Sequence, residues 1–129
     1  MTALTDLVVD EREFDQAAMA DGLIKYVRLG SNAELRPGEE WDGLSERAKV
    51  VAVLLAYKAA ATLEMRPDDS GTALEISRAS GVAHGTVRPT LRGLLEEHVL
   101  QQPARGRYAV PSMRVNQALR LLGGKTNGN

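Results

Sequence analysis

Apolar and polar positions along the chain mark out several helical stretches and one short region of strand. The longest stretch runs from Leu44 to Met65, with Ser45 placed to cap it and Glu46 in its first turn. Its interior, AKVVAVLLAYKAAATLEM, is apolar on nearly every side apart from Lys49 and Lys58. A helix apolar all round is buried between other elements. Residues 44–65 are therefore expected to form either a central scaffold or the place where two copies meet. Arg66 to Gly71 ends the stretch as a linker. Ala73, Leu74, Ile76 and Ala79 then make a narrower face, which Ser80-Gly81-Val82 interrupts because glycine enters the left-handed conformation without a Cβ clash. Val87, Leu91, Leu94 and Leu95 start a new face at i, i+4, i+7, i+8 spacing. Two short helices around a glycine turn make a helix-turn-helix unit.

The segments Val99–Gln102 and Arg107–Val110 read as strands, with Pro103-Ala104-Arg105-Gly106 as the turn between them. Arg105 and Arg107 are thereby expected near the tip of a hairpin. Val115, Ala118, Leu119 and Leu122 mark a last amphipathic helix, and 123–129 is expected to be a flexible tail. Near the N-terminus, Glu11 to Leu29 has helical character through Phe14, Ala17, Ala18, Met19 and Leu23, with Asp21-Gly22 as a candidate break. Leu23 to Leu29 fits a helix or a strand; its imperfect alternation favours the helix. Gly30-Ser31-Asn32 and Arg36-Pro37-Gly38 are loop signals. Trp41, the sole tryptophan, is expected to anchor a core or an interface. The pattern predicts a mainly α protein with a small β-hairpin. It comprises an N-terminal extension over 1–43 for oligomerisation or partner contact, a helix-turn-helix domain over 44–122, and the tail.

The run Ile76 to Leu95, with Ser80-Gly81-Val82, Thr86-Val87 and Leu91, resembles the winged helix-turn-helix family of bacterial and archaeal DNA-binding proteins. Its Thr-Val-Arg segment and trailing Leu-Leu-Glu-Glu are similar to the recognition helices of the broad MarR-like and GntR-like groups. The resemblance covers Thr72–Val110, 39 of 129 residues, and extends to the superfamily only. It implies DNA binding, usually as a dimer, with the second helix in the major groove.

The residues support the same surface independently. With Val87, Leu91, Leu94 and Leu95 turned to a core, Arg88 and Arg92 lie four apart on another strip. His84, Gly85, Thr86 and Thr90 fall at or near the helix start, where the chain can approach a phosphate or a base edge. An arginine fork meets guanine O6/N7 or a phosphate with two hydrogen bonds. Surface arginines are common, and it is the adjoining glycine turn and basic hairpin that favour DNA contact over simple solvation. Pro89 fits poorly deep in a helix, by about 3 kcal/mol. It is accommodated either by a late start, with Thr86 as N-cap and Pro89 in the first turn, or by a kink.

Charge is divided unevenly. Residues 1–70 carry 14 acidic and 8 basic side chains, whereas 71–129 carry 3 acidic and 8 basic, so a net charge of −1 conceals a basic C-terminal half. That is the footprint of a phosphate-binding surface; the acidic half suits solvent or a protein partner. The chain has no cysteine, hence no disulfide and no thiolate metal site. Two histidines, His84 and His98, make a zinc site improbable. No GxxxxGKS/T, GxSxG or HExxH occurs, and acid pairs such as Glu39-Glu40, Asp68-Asp69 and Glu96-Glu97 are sequence neighbours that do not face one another across a substrate. The first residues carry acids where a signal peptide needs bases, and the apolar run from Val50 falls short of the ~20 residues that span a bilayer.

These readings converge on a cytoplasmic, non-enzymatic, sequence-specific double-stranded DNA-binding protein without cofactor or metal, acting in transcription regulation as a homodimer. Arg88 and Arg92, with His84, Gly85, Thr86 and Thr90, are expected in the major groove; Arg105 and Arg107 are expected on the backbone. Two copies joined through the N-terminal region and the 44–65 helix would meet half-sites roughly 34 Å apart. A winged-helix protein-interaction module within a larger assembly, or a DNA-organising factor of partition or replication, is the competing expectation.

Overall fold

The computed structural model describes residues 3–8 and 14–123. Helix α1 (Gln16–Leu23) starts at Asp15, whose carboxylate accepts the Ala18 amide at 2.9 Å. Asp21-Gly22 does not break it. Instead Gly22 lets α1 meet the last helix closely, since a Cβ there would lie 2.8 Å from Leu119 Cδ2. The part of the expected 11–29 helix before Phe14 lies outside the described residues.

The preference for helix over Leu23–Leu29 is overturned. The chain leaves α1 through a tight turn, with the Tyr26 amide on the Leu23 carbonyl at 2.8 Å, and becomes strand β1 (Val27–Leu29). This pairs antiparallel with β2 (Leu35–Pro37) in the register Val27↔Pro37, Leu29↔Leu35. The cause lies outside the window: the partner strand and the buried site for Tyr26 and Val27 decide the conformation, not local periodicity. Gly38 seals the hairpin base, because a Cβ would sit 2.6 Å from the Lys25 carbonyl oxygen.

After a short 3₁₀ turn at Trp41–Gly43 comes α2 (Glu46–Thr62), capped as expected by Ser45, whose hydroxyl accepts the Ala48 amide at 3.1 Å. Residues Val50 to Ala56 are fully buried. The other helices and strand β1 surround α2 within a single chain, so it is the scaffold, and from Val50 to Lys58 it has no bare face for a second copy. The alternative in which 44–65 joins two protomers is thereby corrected. The helix closes by two bonds, Met65 N–H to the Ala60 carbonyl and Glu64 N–H to the Ala61 carbonyl, with Glu64 left-handed at φ 62°.

The chain then forms β3 (Gly71–Thr72) and α3 (Ala73–Ser80). Thr72 and Glu75 exchange side-chain and backbone bonds, a capping box at the start of α3. Gly81, at φ 79°, ends α3, and a three-residue turn leads into α4 (His84–Glu96). Strands β4 (Gln101–Ala104) and β5 (Arg107–Ala109) follow, then a 3₁₀ turn at Ser112–Arg114 and α5 (Val115–Gly123). The sheet has β5 in the centre and β3 and β4 at its edges, all antiparallel. An edge position tolerates Pro103, which has no amide to donate.

The structure is mainly helical with a small antiparallel sheet, as the pattern predicted, plus a second two-stranded hairpin that it did not. Met19, Leu23, Tyr26 and Val27 belong to the same hydrophobic cluster as α2 to α5, so packing is continuous across residue 43. The expected tail beyond Gly123 lies outside the described residues. No helix of the described residues is long and apolar enough to cross a membrane.

Candidate nucleic-acid interface

Helix α4 buries Val87, Leu91 and Leu94 against α2 and α3. Because 3.6 residues make a turn, His84, Arg88 and Arg92, at i, i+4, i+8, form an exposed strip along one flank of that buried face. Among the described residues, Arg88 and Arg92 have neither an ion pair nor a hydrogen-bond partner for the guanidinium. No acid occurs in α4 before Glu96. Its other end is acidic and tethered: Arg47 of α2 grips Glu97 with both nitrogens, Nη1 to Oε2 at 2.8 Å and Nη2 to Oε1. The pair holds the Glu97 carboxyl below its ordinary range and raises the Arg47 guanidinium.

The start of α4 is earlier than a Thr86 cap requires. Ala83 is the N-cap residue and supplies no side-chain acceptor, while the Thr86 and Val87 amides both reach the Ala83 carbonyl. The late-start reading is therefore corrected: Pro89 stands inside the helix, in its second turn. The missing amide leaves the Gly85 carbonyl without its i+4 donor, at an exposed residue where water can take its place. Thr86 and Thr90 are half-buried, and the Thr90 hydroxyl donates to the Thr86 carbonyl at 2.7 Å. That bond spends the hydroxyl's only proton, which leaves Thr90 an acceptor toward any outside partner. The uncapped first turn, with Gly85 exposed and bare of side chain, presents amide hydrogens and the positive end of the helix dipole beside Arg88.

The hairpin is tighter than the four-residue turn expected. Ala104 already pairs with Arg107, so the loop is Arg105-Gly106 alone, with Gly106 at φ 74°. Arg105 is exposed at the tip. Arg107 is not at the tip: it turns back along the sheet, Nε donating to Ser70 Oγ at 2.6 Å and Nη2 to the Ser70 carbonyl at 3.1 Å. Asp68 and Glu75 stand 3.9 and 3.6 Å from the same nitrogen. A guanidinium so engaged holds the sheet together, and of the two arginines expected on the hairpin only Arg105 is exposed. Ser70 was not among the expected site residues, and no local signal links it to Arg107, 37 positions away.

Five of the eight expected residues, His84, Gly85, Arg88, Arg92 and Arg105, are thus exposed; Thr86 and Thr90 are half-buried beside them, and Arg107 is turned inward. Among the described residues no group of three or more His, Asp or Glu side chains is placed to hold a metal ion. Comparison with protein-family models, with curated proteins and with solved structures yields no match.

Proposed function

We propose that this chain is a winged helix-turn-helix DNA-binding protein, with α4 as recognition helix and the β4–β5 hairpin as wing. The order α2, β3, α3, three-residue turn, α4, β4, β5 supports the reading, since a helix pair around a glycine turn followed by a hairpin is the arrangement that lays one helix in a major groove. The observation that carries it is the exposed strip His84–Arg88–Arg92 beside the buried face of α4, with both arginine guanidiniums unpartnered among the described residues. Arg88 and Arg92 read base edges or phosphates, the first turn of α4 takes a phosphate on its amides, and Arg105 holds the flanking backbone.

The protein acts in the cytoplasm as a homodimeric regulator of transcription. With α2 enclosed, pairing falls to the N-terminal region, where Leu4, Leu7 and Val8 are 84%, 74% and 77% exposed. Apolar side chains so open to water suit an interface.

The test is duplex binding across a salt titration, for the parent and for Arg88→Ala with Arg92→Ala. The parent should lose affinity steeply as salt rises, because bound phosphates release counterions. The double variant should lose specific binding with its thermal unfolding unchanged. Equal binding by the variant overturns the groove assignment, and no duplex affinity at low salt favours a protein-interaction module instead.

A further inference from the structure

A cavity of about 530 Å3 opens where the C-terminal half of α2 meets the root of the three-stranded sheet. Its size is that of a site for one small molecule. One wall holds charge of both signs: Lys58, whose side chain is only 9% exposed, and Asp68 and Asp69 from the turn before β3. Lys58 Nζ donates to Asp69 Oδ2 at 2.9 Å and lies 5.4 Å from the centre of the Phe14 ring. Phe14, Pro111 and Met113 add apolar lining, and Ser112 and Gln101 add neutral hydrogen-bonding groups.

This lining selects by charge. Asp68 Oδ1 is taken by the Ser70 amide and hydroxyl, which leaves Lys58 and Asp69 as one charge of each sign for a ligand, so an anion is opposed by Asp69 and a simple cation by Lys58. A zwitterion meets each of its charges with the opposite one. An ammonium carries three donors, and the Lys58–Asp69 bond uses one of them. We propose that the cavity binds a free α-amino acid with an apolar side chain. Its carboxylate sits on Lys58, its ammonium on Asp69, and its side chain lies against Phe14, Pro111 and Met113. One ion pair thereby becomes an alternating chain of charge-assisted hydrogen bonds, the stronger kind.

The position gives the ligand a lever. Gln101 opens β4, Pro111 to Met113 follow β5, and Asp68-Asp69 leads through Ser70 to β3, so all three strands of the sheet are rooted at this cavity. Ser70 is also the residue that holds Arg107. Occupancy therefore biases the set of the hairpin relative to α4; this regulatory part rests on the DNA-binding reading, whereas the site does not.

The experiment titrates the full chain, without DNA, with L-leucine, L-valine, L-methionine and L-phenylalanine, reading heat and the amide resonances of Gln101 and Ser112. Isovalerate and isopentylamine, which keep one charge each, are the controls for leucine. At least one amino acid should bind and move both resonances, and its single-charge analogues should bind at least about tenfold more weakly. Lys58→Met and Asp69→Asn should each weaken binding by about tenfold; Asp69 lies in a partly exposed turn, so its variant reports even if Lys58→Met fails to fold. The proposal is overturned if no amino acid moves those resonances at millimolar concentration, if the analogues bind equally, or if Asp69→Asn binds as the parent does. Added to a duplex titration, the bound amino acid should change DNA affinity by about fivefold. An unchanged affinity removes the regulatory part, and absence of duplex binding beside intact amino-acid binding removes the DNA reading alone.

Discussion

The guanidinium of Arg107 donates to the hydroxyl and the carbonyl of Ser70, at 2.6 and 3.1 Å, and so fastens the central strand of the sheet to the turn that precedes β3. Two arginines separated by a single glycine in sequence consequently have different work. Arg105→Ala should leave stability unchanged and lower the salt dependence of duplex binding by about one counterion's worth of slope. Arg107→Ala should destabilise the fold by about 1–3 kcal/mol, because the buried Ser70 hydroxyl and the nearby acids lose a charged donor, although Arg66 still serves the Ser70 carbonyl. Chemical denaturation of both variants beside their salt titrations separates the two roles; a destabilised Arg105→Ala or a neutral Arg107→Ala contradicts it.

The Arg47–Glu97 pair predicts a pH dependence. Arg47 depresses the folded-state pKa of Glu97, so the unfolded chain takes up the proton first. The pair's contribution is therefore complete above the ordinary glutamate range and disappears as pH falls through the lowered folded value. Both side chains are substantially exposed, at 38% and 51%, so solvent screening keeps the contribution to about 1 kcal/mol or less. Urea titrations of the parent and Glu97→Gln should differ most at neutral pH and converge in acid. A gap that widens toward acid refutes the linkage.

Helix α4 closes as α2 does. The His98 amide meets the Leu95 carbonyl and the Val99 amide the Leu94 carbonyl, with His98 left-handed at φ 64°. A side chain at such a position costs about 1 kcal/mol or more relative to glycine. His98→Gly and Glu64→Gly should each raise the unfolding free energy by roughly 1 kcal/mol, read as a higher denaturation midpoint, and the two gains should add because the sites share no partners.

Pro89→Ala restores a donor for the Gly85 carbonyl and removes a ring from the second turn of α4. Stability should rise by about 1–3 kcal/mol. The change is read as a higher melting temperature with greater helicity by circular dichroism. A decrease in stability would show that α4 depends on the ring.

The helix-turn-helix was legible because each of its determinants is local. Ala73, Ile76 and Ala79 share one face, Gly81 ends that helix, and Val87, Leu91 and Leu94 repeat at helical spacing. The 44–65 helix was legible for the same reason, and its all-round apolarity correctly indicated burial but did not say against what. Packing answered that: the chain's own helices cover it. The β1–β2 hairpin was not legible, since Val27 takes its conformation from a strand eight to ten residues away. The place of Pro89 stayed open in the sequence between a late start and a kink, because Thr86 is a better cap than Ala83; in the structure α4 starts at His84 all the same, with Ala83 as its N-cap. Arg105 and Arg107 look equivalent in sequence; only the fold shows that one faces outward and the other reaches Ser70.

The enclosure of α2 also bears on how the molecule comes apart. Helices α1, α3, α4 and α5 all pack on α2, so wetting its run from Val50 to Ala56 means displacing several of them together. The amide hydrogens of that run should exchange with deuterium only through global opening, at one common free energy. Those of the β1–β2 hairpin, which touches the scaffold on one side, should exchange sooner through partial openings.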